Sequence, residues 1–85
     1  MVVVRLPSLL AAQAGGQGRF EVEAQTVGDA LRSLPVRDLL LHEDGELRRL
    51  VNVYVDGEDA RRLDGLETPV GDAREVRVIA AVAGG

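Results

Sequence analysis

Cysteine is absent from the 85-residue chain, and so is lysine: all 10 basic residues are arginine. Without Cys there is no disulfide framework, no thiolate zinc cluster and no thiol nucleophile. Without Lys the N-terminus is the only amine, and a P-loop, which needs a lysine after its glycines, is excluded. Gly15, Gly16 and Gly18 therefore read as a flexible hairpin loop, and the chain is expected to bind no ATP itself. Aromatics are limited to Phe20 and Tyr54, so the core must be built from Val, Leu and Ala. Positive charge is in deficit as well. The net charge is −4 and the arginines are interleaved with Asp and Glu, which gives no basic face for a phosphate backbone and argues against a nucleic-acid partner. No apolar run approaches the length needed to span a bilayer. The opening "MVVVRLPSLL" has no basic leader and is interrupted by Arg5, so it reads as a strand and not as a signal peptide. A cytoplasmic location is expected.

Catalytic groups are also scarce. The single histidine, His42, lies in a polar loop and reads as a solvated side chain. No Ser-His-Asp set, Cys-His pair or metal-ligand spacing is present. Glu43, Asp44 and Glu46 lack the spacing of a calcium loop and read as a charged turn. A chain this short buries about 60–65% of its unfolded surface and is expected to form one domain, residues 1–85.

Hydrophobic patterning supplies the elements. Residues 1–7 are β-branched and end at Pro7, which predicts a strand; residues 8–18 predict a loop with a helical turn near Leu9 to Gln13. Residues 19–24 alternate, with Phe20, Val22 and Ala24 on one face and Arg19, Glu21 and Glu23 on the other, as in a half-buried strand. Thr26 followed by Asp29 resembles a capping box. Val27, Ala30, Leu31 and Leu34 then fall at helical spacing up to Pro35, and Leu39 to Leu41 suggest a short second turn. Val51, Val53 and Val55 alternate with Asn52 and Tyr54, the Asp56-Gly57 dipeptide predicts a tight turn, and a short edge strand is expected at Ala60 to Arg62. The last strand sets Val76, Val78 and Ala80 against Arg77 and Ile79. The order β-β-α-β-β-β is an α+β arrangement, a mixed sheet of about five strands packed on one main helix. The last strand is expected at the sheet centre, parallel to the first.

The chain closes on "AAVAGG". At an average glycine usage of ~7%, two glycines fall at the last two positions by chance about once in 200 chains. Here they extend a hydrophobic strand and not a polar linker. Glycine has no Cβ, so a Gly-Gly end can thread a narrow channel and deliver a carboxylate into another protein's active site. A carboxylate must be activated to react, most simply as an acyl-adenylate, and with no ATP site here that step falls to a partner enzyme.

These residues resemble the ubiquitin-like β-grasp sulfur carriers of the ThiS/MoaD superfamily. The resemblance is carried by "TVGDAL" (26–31), "LVNVYVDGEDAR" (50–61), "GLETPVGD" (65–72) and "EVRVIAAVAGG" (75–85); the N-terminal hairpin matches in type. Within the superfamily, residues 51–61 and the final "AVAGG" are most similar to the CysO-type carriers of actinobacterial cysteine synthesis. Two places depart from the family pattern: Ala80 and Ala81 stand where Pro is frequent, and Asp72-Ala73-Arg74 replaces the usual Asp-Gly-Asp turn.

The resemblance implies a ubiquitin-like β-grasp fold with a flexible tail at residues 82–85. It also implies a carrier that is a co-substrate and not an enzyme, with no bound cofactor. An E1-like enzyme would use ATP to adenylate Gly85, with Gly84 permitting entry. A cysteine desulfurase or rhodanese-type donor would supply sulfur, leaving a C-terminal thiocarboxylate. A sulfur-accepting biosynthetic enzyme, for cysteine, molybdopterin, thiamine or a secondary metabolite, would consume it. The exposed face of the last strand and the tail (Ile79, Val82 and Ala83) is expected to contact the activating enzyme, because apolar residues continue where a soluble chain should turn polar. Two other readings compete. One is a ubiquitin-like modifier joined to lysines of other proteins, and the other is a plain interaction module whose glycines are incidental.

Overall fold

A computed structural model describes residues 1–71 and 75–80. Its elements run β1 (Val2–Arg5), α1 (Ser8–Gln13), β2 (Arg19–Val22), α2 (Val27–Arg32), α3 (Arg37–Leu40), β3 (Val51–Val55), β4 (Glu58–Asp59), two 3-10 turns (Ala60–Arg62 and Gly65–Glu67) and β5 (Glu75–Ala80). The strands form one mixed sheet in the order β2-β1-β5-β3-β4. β5 is central: it runs parallel to β1, with Val4 beside Val76, and antiparallel to β3, with Val53 beside Val78 and Val51 beside Ala80. The expected α+β order and the central, parallel last strand are both present.

One face of the sheet is covered. Val2 and Val4, Val51, Val53 and Val55, and Val76 and Val78 point inward and are buried, and Val27, Ala30, Leu31 and Leu34 pack on them from α2 and the turn after it. The fully buried cluster is aliphatic, with Phe20 packed against it half-buried from β2. The N-terminus of α2 is capped by Thr26, whose hydroxyl accepts from the Asp29 backbone N–H at 3.2 Å. The Arg32 guanidinium bonds the Asp29 carboxylate at 2.8 Å and holds its pKa below the usual carboxylate value.

The helical turn expected near Leu9 to Gln13 is present as α1, and the one expected at Leu39 to Leu41 is present slightly earlier as α3. Two expectations need correction. The main helix is short, ending at Arg32, and Leu34 keeps its buried place in the turn that follows. The edge strand falls at Glu58–Asp59, and Ala60–Arg62 is a 3-10 turn. Asp59 causes that shift: its carboxylate accepts from the Arg61 backbone N–H at 2.9 Å and turns the chain, which drives Ala60 into the core. The Asp72-Ala73-Arg74 turn lies outside the described residues. Among those described, no helix is long and apolar enough to cross a membrane.

Candidate functional site

The region in question is the root of the C-terminal tail. Ala80, at the end of β5, pairs with Val51, at the start of β3. Residues 81–85 follow directly, so β3 and the turn before it form the shoulder from which the tail leaves. Val82, Ala83, Gly84 and Gly85, four of the expected site residues, lie outside the described residues. The fifth, Ile79, sits on the open face of the sheet beside Asn52, 43% exposed. With Tyr54, Gly57, Glu75 and Arg77 it lines a shallow depression of about 380 Å³. Glu75 bridges Arg5 (2.7 Å) and Arg77 (3.2 Å) on the same face, so this surface combines an ion-pair cluster with one exposed aliphatic side chain.

The shoulder is held by an arginine network that sequence periodicity does not reveal. Arg61 donates to Asn52 Oδ1 at 2.6 Å and to the Arg48 carbonyl at 3.0 Å, with a longer contact to the Arg49 carbonyl. The Arg48 guanidinium in turn donates through Nε and Nη2 to the Asp38 carbonyl, at 3.1 and 2.9 Å. The segment entering β3 is thereby tied to the first 3-10 turn on one side and to α3 on the other. The quoted stretch 50–61 already contained the signal, since it holds both Asn52 and Arg61, but only the fold brings them together.

The other quoted motifs also have structural roles. Thr68, almost fully buried, accepts from the Asp64 backbone N–H through its hydroxyl (3.0 Å), and its carbonyl accepts from Val27 N–H (3.0 Å). The loop 65–70 is so clipped to the start of α2. A Cβ at Gly28 would stand 3.0 Å from an Arg32 guanidinium nitrogen and 3.2 Å from the Leu66 carbonyl oxygen, so a side chain there requires those neighbours to shift. Asp56 and Gly57 both adopt positive φ, 49° and 92°, as a tight hairpin turn of this kind demands. His42 and the acidic residues beside it form a surface turn, closed by His42 N–H to the Glu46 carbonyl at 2.7 Å. No group of three or more metal-ligating side chains occurs among the described residues.

A five-stranded mixed sheet with a central parallel pair of first and last strands, one face covered by helix and the tail leaving from the middle strand, defines a ubiquitin-like β-grasp protein. The comparisons agree. In the structure of the Amycolatopsis orientalis BexX/CysO complex, a chain 34% identical to this one superimposes with a TM-score of 0.82, with both chains fully covered. The sulfur carrier protein CysO of Mycobacterium tuberculosis is 34% identical over 91 aligned positions, 99% of this chain and 98% of that protein. The small archaeal modifier protein 3 of Haloferax volcanii is 47% identical over 64 positions, 71% of this chain and 70% of the other. The ThiS family model matches residues 4–85, and the chain belongs to the ThiS family.

Proposed function

We infer that this protein is a sulfur carrier of the CysO type, acting in the cytoplasm as a co-substrate of partner enzymes. The observation that carries the reading is the family match through Gly85, joined to 34% identity over nearly the full length of a sulfur carrier. In this reading an oxygen of the Gly85 carboxylate attacks the α-phosphate of ATP bound to an E1-like enzyme. Pyrophosphate leaves and an acyl-adenylate forms. The persulfide of a cysteine desulfurase or rhodanese-type donor attacks the carbonyl carbon and expels AMP, giving an acyl disulfide. A second enzyme thiol then attacks the donor-cysteine sulfur, forming a disulfide with it and releasing a thiocarboxylate that a biosynthetic enzyme consumes. Gly84, without a Cβ, lets the end enter a narrow site. Ile79, with Val82 and Ala83, meets the activating enzyme. That a CysO has been seen in a complex with BexX supports a role exercised through protein partners.

A second reading, conjugation to lysines of other proteins, is favoured by the likeness to an archaeal modifier protein and shares the adenylate. The test is incubation of the chain with the E1-like enzyme of its source organism and Mg-ATP, followed by intact-mass analysis. An AMP adduct that is lost on deletion of Gly85 is expected. An unmodified chain under conditions where the enzyme activates another carrier would contradict the reading.

A further inference from the structure

A groove of about 530 Å³ opens beside Ala80, on the shoulder from which the tail leaves, and is lined by Leu39, His42, Arg48, Arg49, Leu50 and Val51. Two of its walls are aliphatic and wet: Leu39 is 45% exposed and Leu50 46%. Its charge runs against that of the chain, which is −4 overall. Arg5, Arg19, Arg32, Arg37 and Arg77 are matched by carboxylates. The other described arginines, Arg48, Arg49 and Arg61 around the shoulder and Arg62 in the first 3-10 turn, are in no ion pair among the described residues. The Arg48 guanidinium is instead fixed on the Asp38 carbonyl, so its positive charge is held in place with no carboxylate partner among the described residues.

We propose that this groove is a docking surface for the enzyme that activates the C-terminal carboxylate, and that it receives an apolar side chain of that enzyme flanked by carboxylates. The proposal rests on the sulfur-carrier reading. Reach argues for it: five residues, 81–85, span at most ~17–18 Å when extended. An active site holding Gly85 must therefore bring its own surface that close to Ala80, and the groove starts at Ala80. The activating enzyme is the partner that meets the chain with a free carboxylate. Charge complementarity sets the rest, since an acidic rim is steered toward unpaired arginines and away from the acidic remainder of the molecule.

The experiment is ATP–pyrophosphate exchange by the E1-like enzyme of the source organism, with the carrier concentration varied. Arg49→Glu and Leu50→Ser are each expected to raise the KM for the carrier about tenfold, with kcat within about twofold. Arg49→Glu should also flatten the dependence of kcat/KM on salt. Both positions are exposed, and an unchanged Tm confirms folding. Leu9→Ser, at an exposed site on α1, serves as the control and should leave KM unchanged. Wild-type KM values in the folded groove variants, or an equal rise with Leu9→Ser, would overturn the proposal while leaving the sulfur-carrier reading intact. No exchange with the wild-type chain would instead defeat that reading, and the docking proposal with it.

Discussion

The Arg61 guanidinium reaches acceptors on two segments, Asn52 Oδ1 and the Arg48 carbonyl, and so ties the edge of the sheet to the approach to β3. These bonds are solvent-exposed, so Arg61→Ala should cost only about 1 kcal/mol. Its larger effect should be local: amide hydrogen exchange at Val51 should speed up more than at Val4. Uniform acceleration at both sites would mean that Arg61 acts on global stability alone. Asp29 offers a pH test. Its carboxyl is lowered first by the hydrogen bond from Arg32, so the stability it contributes is present above its unfolded-state pKa. That contribution is lost only as the pH falls through the lowered folded value. Arg32→Ala should bring the Asp29 pKa back up toward the ordinary range, as read by carboxyl-carbon NMR titration. An unchanged titration would show that the hydrogen bonds from the Gln25 backbone and the Thr26 side chain set it instead.

At the scale of elements, α2 and the loop 65–70 behave as one unit, because Thr68 bonds both segments and a side chain at Gly28 would crowd the Leu66 carbonyl. Gly28→Val should therefore destabilise by about 1–3 kcal/mol through overpacking, measured by chemical denaturation; a stability equal to wild type would show that the loop yields freely. Much of this level was legible in the sequence. The alternation of Val51, Val53 and Val55 and of Val76 and Val78 marked the two central strands, and Asp56-Gly57 marked the hairpin turn between β3 and β4. The length of α2 was not legible, because Leu34 keeps its helical-period place in the core from the turn after the helix. Nor was the 3-10 turn at Ala60–Arg62, since three residues carry no period and the deciding contact is an Asp59 carboxylate reaching forward two residues. The pairing of Arg61 with Asn52 depends on the hairpin turn returning the chain alongside β3, which no periodicity reports. The expected site residues Gly84 and Gly85 were legible only as a motif.

On the scale of the whole molecule, the tail is rooted in the most enclosed strand. β5 pairs with β1 on one side and β3 on the other, and Val76 and Val78 are essentially unexposed. Because β1 and β5 come from opposite ends of the chain, the root exists only once the whole domain has folded. A terminus that follows directly on a fixed strand suits the proposed carrier role, and the scarcity of chemistry elsewhere fits that division of labour. The absence of Cys and Lys also leaves few groups in the chain that could intercept an activated carbonyl. The most direct test of the central claim is intact-protein mass spectrometry of the chain purified from its native host with its terminus unaltered. The account predicts a fraction heavier by one sulfur-for-oxygen exchange, abolished by alkylation of the thiocarboxylate and by deletion of Gly85. An unshifted chain accompanied by lysine-linked adducts would contradict it in favour of protein modification.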